Sequence, residues 1–86
     1  MKTLHADIVT PDRKIFSGEV QSIQLPGSEG SFEILFNHAP IVATLETGKI
    51  RIKTADGKTE LIKGVGGVVE VSNNKVSVLL EKAENI

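Results

Sequence analysis

Hydrophobic and polar residues alternate along much of this chain with a period of two, the spacing that sends successive side chains to opposite faces of a strand. Lys49-Ile50-Arg51-Ile52-Lys53 shows it most plainly, with Ile50 and Ile52 facing one way and Lys49, Arg51 and Lys53 the other. Lys75-Val76-Ser77-Val78-Leu79-Leu80 begins in the same manner. Thr3–Thr10 is strand-like and stops at Pro11, and Lys14–Ser17 is a short strand. Glu19–Leu25 alternates but slips phase between Val20 and Ile23, which predicts a bulge. Gly30–Phe36 and Ile41–Leu45 flank a break at Asn37-His38-Ala39-Pro40. No segment carries an apolar stripe at helical spacing over the length of a helix of about ten residues.

Turn residues separate these runs. Asp56-Gly57 divides Ile50–Ala55 from Lys58–Lys63 and predicts a hairpin. Asn73-Asn74 does the same between Val65–Ser72 and Lys75–Leu80, because Asn tolerates the positive φ of a two-residue turn. That turn sets a register: Val71 opposite Val76, Val69 opposite Val78, Gly67 opposite Leu80, and Glu70 opposite Ser77. Gly64-Val65-Gly66-Gly67 lacks the Lys-Ser/Thr pair and following helix of a phosphate loop, and reads as a bulge or a close backbone approach. The pattern predicts an all-β domain over residues 1–82, a small β-sandwich or flattened barrel of about eight to ten short strands, with a frayed tail at 83–86.

Composition narrows the function. An 86-residue chain is one domain with a modest core. Its formal net charge is -1 and its basic residues are spread from Lys2 to Lys82, so no footprint for nucleic acid appears. Phe16, Phe32 and Phe36 are the only aromatics, too few for a base-stacking platform. Cysteine is absent, which removes disulfides and thiolate zinc sites. No apolar run approaches the ~20 residues of a membrane span, and the N-terminus has no signal-peptide core. Membrane association is therefore expected only through partners.

The candidate reactive residues point the same way. His5 and His38 are the only histidines, far apart and without a Cys or His neighbour. Asp7 is the nearest acid to His5, and alternation of faces along the strand argues against their pairing. No Ser or Thr lies in a nucleophile elbow. The chain reads as non-catalytic, with no metal or cofactor. Leu25-Pro26-Gly27-Ser28-Glu29-Gly30 is a turn element in which Pro26, Gly27 and Gly30 shape the backbone; a plain surface loop and a partner-touching loop are both open readings. Pro40 biases Ala39 to an extended conformation, and His38 reads first as a structural turn histidine. A lipoyl- or biotinyl-type carrier is the alternative, with Asp56-Gly57-Lys58 as its only hairpin tip. Lys58 follows the Asp-Gly turn instead of occupying it, which argues against a carrier.

Several motifs in order resemble a known family. Leu4-His5-Ala6-Asp7-Ile8-Val9-Thr10-Pro11 opens the series, and Phe16-Ser17-Gly18-Glu19-Val20 follows. Leu25–Leu35 with its Pro-Gly-Ser-Glu-Gly turn, His38-Ala39-Pro40 running into Ile41–Leu45, Gly48–Ile52 and Gly66–Val71 complete it. In this order and spacing the chain resembles the epsilon subunit of F-type ATP synthase, called delta in mitochondria, over almost its whole length. The resemblance implies a β-sandwich in the central stalk, at the foot of the gamma subunit and resting on the c-ring. It implies a rotor part that helps couple ion translocation to nucleotide chemistry done in the alpha and beta subunits, with which contact is indirect. It implies the cytoplasmic face of the inner membrane for a bacterial source.

Residue by residue, the resemblance implies c-ring contacts at Gly27, Ser28, Glu29, Gly30 and Ser31. It implies gamma contacts at Thr10, His38, Ala39 and Pro40. Gly27→Val is then expected to weaken c-ring binding more than stability. Relatives often carry an acid where Ser31 stands, Gly where Glu33 stands, and Pro-Gly where Phe36-Asn37 stand. The family pattern commonly continues into a C-terminal helical hairpin with an inhibitory role. This sequence stops at Ile86, and a naturally short form without that hairpin is the expectation.

Overall fold

The structure is a computed structural model that describes residues 2–85. Seven strands follow one another: β1 (Leu4–Thr10), β2 (Arg13–Gly27), β3 (Gly30–Leu35), β4 (Ile41–Leu45), β5 (Gly48–Thr54), β6 (Thr59–Ser72) and β7 (Lys75–Asn85). β1 pairs with β2, β2 with β5, β5 with β6, β6 with β7, and β7 returns to β1. That sequence of pairings is a closed ring. Among the described residues only the β1–β7 contact is parallel. β4 runs beside β6 and meets β2 at a single position, Gly27↔Leu45. β3 pairs with the second half of β2.

The alternation places the core as the sequence predicts. Leu4, Ala6 and Ile8 of β1, Ile23 and Leu25 of β2, Ile50 and Ile52 of β5, and Val76, Val78 and Leu80 of β7 all point inward and are buried. The hairpin at Asn73-Asn74 has φ of 51° and 60°, and the strands around it take the predicted register, from Val71↔Val76 to Gly67↔Leu80. At the Asp56-Gly57 hairpin, Thr54 N–H donates to Lys58 O (2.8 Å) and Gly57 N–H donates back to Thr54 O (3.0 Å). Gly57, at φ 88°, supplies the left-handed residue that such a loop requires.

The all-β sandwich stands, but with fewer and longer strands than the pattern suggests. β2 joins the segments read separately as Lys14–Ser17 and Glu19–Leu25, and β6 joins Lys58–Lys63 to Val65–Ser72. The apparent boundaries are places where a strand changes neighbour. Along one edge, β2 leaves β1 after Val20 and takes up β3 at Ser22, with the predicted bulge between those two residues in its pairing to β5. β6 leaves β5 at Gly64 and takes up β4 at Gly67. Residues 83–85 are not frayed: Ala83 and Glu84 pair with Gly64 and Lys63, and Asn85 with Ile62. The length of β6 provides partners for this polar end, and Arg13 Nη2 donates to Ala83 O at 3.2 Å. Ile86 lies outside the described residues.

The glycine run in β6 is a close approach. A Cβ on Gly67 would lie 2.1 Å from Leu79 O of the paired strand, and the residue has φ 149°. Gly67→Ala is expected to cost about 3 kcal/mol or more by forcing β6 and β7 apart. Gly57→Ala, at a left-handed residue with open space around it, is expected to cost about 1–2 kcal/mol. Urea unfolding of the two variants checks the difference.

Candidate partner surfaces

Gly27–Ser31 forms a tighter feature than a six-residue loop. Gly27 and Gly30 are paired across a two-residue turn of Ser28 and Glu29, with Gly30 at φ 124°. Ser28, Glu29, Gly30 and Ser31 are exposed, whereas Gly27 is buried. The turn is braced from β4: Ser28 N–H donates to Thr44 O at 3.0 Å, and Thr44 Oγ1 donates to Ser28 Oγ at 2.9 Å. Glu46 N–H donates to Pro26 O at 2.8 Å on the same seam. A Cβ on Gly27 would sit 2.6 Å from Gly30 O and 2.7 Å from the Phe32 ring. Gly27→Val therefore damages the fold itself, and it does not separate contact from stability as the sequence alone suggests.

His38, Ala39 and Pro40 form the β3–β4 connection at the other end of these strands. His38 is half-buried, and Ala39 and Pro40 are exposed. His38 N–H donates to Leu35 O (3.1 Å), and its Nδ1 lies 2.7 Å from Ala39 O, so the ring steadies its own loop. Asn37, at φ 65°, ties this loop to the β6–β7 turn: its N–H donates to Asn74 Oδ1 at 2.6 Å. Thr10 is elsewhere. It ends β1, is 7% exposed, and donates through Oγ1 to Asp12 Oδ1 at 2.6 Å. His5 N–H reaches Asn74 O, so the His38 loop stands level with the start of β1, roughly 17 Å along the strand from Thr10. The structure groups His38, Ala39 and Pro40 and leaves Thr10 at the level of the opposite end. A contact using all four runs along the sandwich and does not cap one end.

A polar cluster that the sequence argument missed lies on the outer face of β1 and β2. His5 Nδ1 is 2.9 Å from Glu19 Oε2, and its Nε2 is 3.3 Å from Asp7 Oδ1. Ser17 Oγ donates to Asp7 at 2.6 Å, and Thr3 Oγ1 donates to Glu19 at 2.9 Å. His5 and Asp7 are two residues apart and so share a face; alternation brings them together. The bond to Glu19 raises the His5 pKa, with Asp7 adding to it. Asp7 is lowered chiefly by Ser17 and then by His5, and Glu19 chiefly by His5 and then by Thr3. The two carboxylates sit on opposite nitrogens of the ring, so they do not converge on one point. Among the described residues no cluster of His, Asp and Glu is placed to hold a metal ion.

Residues 3–86 match the family described as ATP synthase, Delta/Epsilon chain, beta-sandwich domain. The chain belongs to this family. An ATP synthase epsilon chain of Nitratidesulfovibrio vulgaris is 51% identical over 83 residues, covering 96% of this chain and 61% of the relative. One of Chlorobaculum tepidum is 42% identical over 81 residues, covering 94% of this chain and 92% of the relative. The chain thus spans about three fifths of the first of these curated relatives and most of the second. Among solved structures, a chain of the Euglena gracilis mitochondrial ATP synthase (OSCP/F1/c-ring) superposes with a TM-score of 0.92 at 21% identity. That match covers 99% of this chain and 54% of the other, and shows the shared fold. The family match gives a carrier domain no support, and Lys58 lies beyond the hairpin tip with its ammonium 3.9 Å from Asp56.

Two predictions come from this geometry. His5 has a raised pKa when folded, so its contribution to stability is complete below its unfolded value of about 6.5 and is lost as pH rises through the folded value. The lowered Asp7 and Glu19 contribute above their unfolded values of about 4 and lose that contribution as pH falls through the folded ones. Melting temperature followed across pH should decline above about pH 6.5 in the wild type and decline less in His5→Gln. For the turn, Glu29→Lys should leave the melting temperature of the isolated chain unchanged, within about 0.5 kcal/mol of stability, because Glu29 is exposed and unbonded in the hydrogen bonds described. Thermal melting of Glu29→Lys beside Gly27→Val, which should unfold far earlier, checks this.

Proposed function

We propose that this chain is a non-catalytic rotor component of an F-type ATP synthase, linking the gamma subunit to the c-ring and helping couple ion translocation to ATP synthesis or hydrolysis. The observation that carries this reading is the family match over residues 3–86, which embraces every strand. Solved structures of like fold come from ATP synthase assemblies, one described as the central stalk and c-ring of the Tetrahymena thermophila enzyme, with a TM-score of 0.77. The exposed turn at Gly27–Ser31 is the c-ring contact in this reading, and the His38–Pro40 loop is the gamma contact. They lie at opposite ends of β3, which suits a part wedged between two neighbours. Thr10 joins the gamma contact only if gamma extends along the flank of the sandwich.

The mechanical logic follows from the closed ring. Strands that hydrogen-bond on both sides resist shear, since sliding any one of them breaks a whole ladder and shifts every side chain to the wrong face. Membrane association comes through the partners, at the cytoplasmic face of the inner membrane in a bacterial host.

Affinity purification of the tagged chain from its host membranes tests the assignment. Gamma and c-ring subunits should co-purify, and the isolated chain should not hydrolyse ATP. Recovery of the chain without either subunit would overturn the proposal. His38→Ala should weaken gamma binding by about tenfold, or roughly 1.4 kcal/mol, with little change in c-ring binding; Glu29→Lys should weaken c-ring binding. Binding isotherms against each purified partner distinguish the two.

A further inference from the structure

The closed ring leaves one seam open. β3 pairs with β2 alone, and β4 pairs with β6 and touches β2 only at Gly27↔Leu45. Hydrogen-bond parity identifies the backbone groups that face this seam. Gly27 and Gly30 close their two-residue turn as a mutually bonded pair, so Leu25–Phe32 and Ile23–Ile34 are bonded pairs as well. The N–H and C=O of Ser31 and Glu33 therefore point away from β2. On β4, Thr44 O accepts from Ser28, on the side away from β6. Two residues earlier, the N–H and C=O of Val42 point the same way. Among the described residues no strand covers these groups.

These two edges border one groove, lined by Ser31, Phe32, Ile41, Val42 and Ala43 and running from the Gly27–Ser31 turn toward the His38–Pro40 loop. Val42 is 70% exposed, the most open of the large hydrophobic side chains, and Leu35 on β3 is 52% exposed. Glu29 is the charged side chain in the groove lining, while Lys49 and Arg51 lie beyond Ser31 on the outer face. From Ile15 to Gly48 the sequence has no Lys or Arg, while Glu29, Glu33 and Glu46 are exposed. A free strand edge is a template for another extended backbone, and an acidic rim favours a basic one.

We propose that this groove takes up an extended segment of the gamma subunit by strand addition, a segment carrying Lys or Arg along with small apolar residues. The inference rests on the rotor reading above and deepens it, turning the gamma contact from a loop touch at His38–Pro40 into a backbone pairing that continues down β3 or β4. A row of alternating backbone donors and acceptors is complementary to another polypeptide backbone.

Amide hydrogen exchange, resolved to single residues, tests this on the isolated chain and on the intact ATP synthase. The amides of Ser31, Glu33 and Val42 should exchange freely in the isolated chain and at least about tenfold more slowly in the assembly. Unchanged exchange at all three, in an assembly that holds both the chain and gamma, would overturn strand addition while leaving the rotor reading intact. Protection of Glu33 and Val42 that persists with the c-ring alone, without gamma, would also overturn it. Failure of the chain to assemble at all strikes the rotor reading instead. Val42→Pro removes an N–H that faces the seam and leaves the β4–β6 bonds in place, so it should weaken gamma binding by about tenfold or more. Val42→Ala, which keeps the N–H, should weaken it less. Equal affinities for Val42→Pro and wild type would refute the pairing, and the exchange comparison on the wild type decides the matter if the proline variant does not fold.

Discussion

Strand β1 holds this molecule closed. Its residues Leu4–Thr10 pair antiparallel with Val20–Arg13 on one side, while His5–Val9 pair parallel with Lys75–Leu79 on the other. Without that second pairing, β2, β5, β6 and β7 would form an open sheet with two exposed edges and a core accessible from one side. With it, the inward rows of β1 and β7, Leu4-Ala6-Ile8 and Val76-Val78-Leu80, are brought into one core with Ile23, Ile50, Ile52 and Val69. The closure joins the two ends of the chain, so its loop-closure entropy is met late and the fold depends on contacts of long sequence separation.

Closure at β1 also decides where the molecule remains open. A ring of five strands leaves two over, β3 and β4, which border the remaining seam; at one end β4 and the residue after it are tied to the end of β2 and its turn by the Ser28–Thr44 and Pro26–Glu46 bonds. Both candidate contact loops flank this seam because both are connections of β3, the turn joining it to β2 and the loop joining it to β4. The Gly27–Ser31 turn is its one end and the His38–Pro40 connection its other. The acidic character of this sector and the exposed Val42 distinguish it from the β5–β6 flank, where Lys49, Arg51, Lys53 and Lys63 are exposed.

The outer surface of the closure is polar. His5, Asp7, Ser17 and Glu19 link β1 to β2, so the strand that completes the ring also carries a histidine whose pKa its carboxylate partners raise. These groups are partly exposed, and solvent screens them. Their effect is a modulation of a closure already set by the buried apolar row beneath them.

Local patterns in the sequence determined a good deal. The period-two alternation named the inward faces of β5 and β7, Asn73-Asn74 set the register of the last hairpin, and the phase slip before Ile23 marked the bulge in β2. The ordered motifs pointed to the family. Each of these is a property of neighbouring residues, where turn geometry and side-chain alternation act directly. What the tertiary structure decided is which strands neighbour each other. It merged four predicted segments into β2 and β6, because a strand that changes partner looks like two strands in one dimension. It drew Ala83–Asn85 into β7, since a polar run is ordered when a long neighbour supplies its ladder. It also separated Thr10 from His38, joined His5 to Glu19, and left the β3–β4 edges open. Those facts depend on pairing between residues distant in the chain, which alternation alone does not encode.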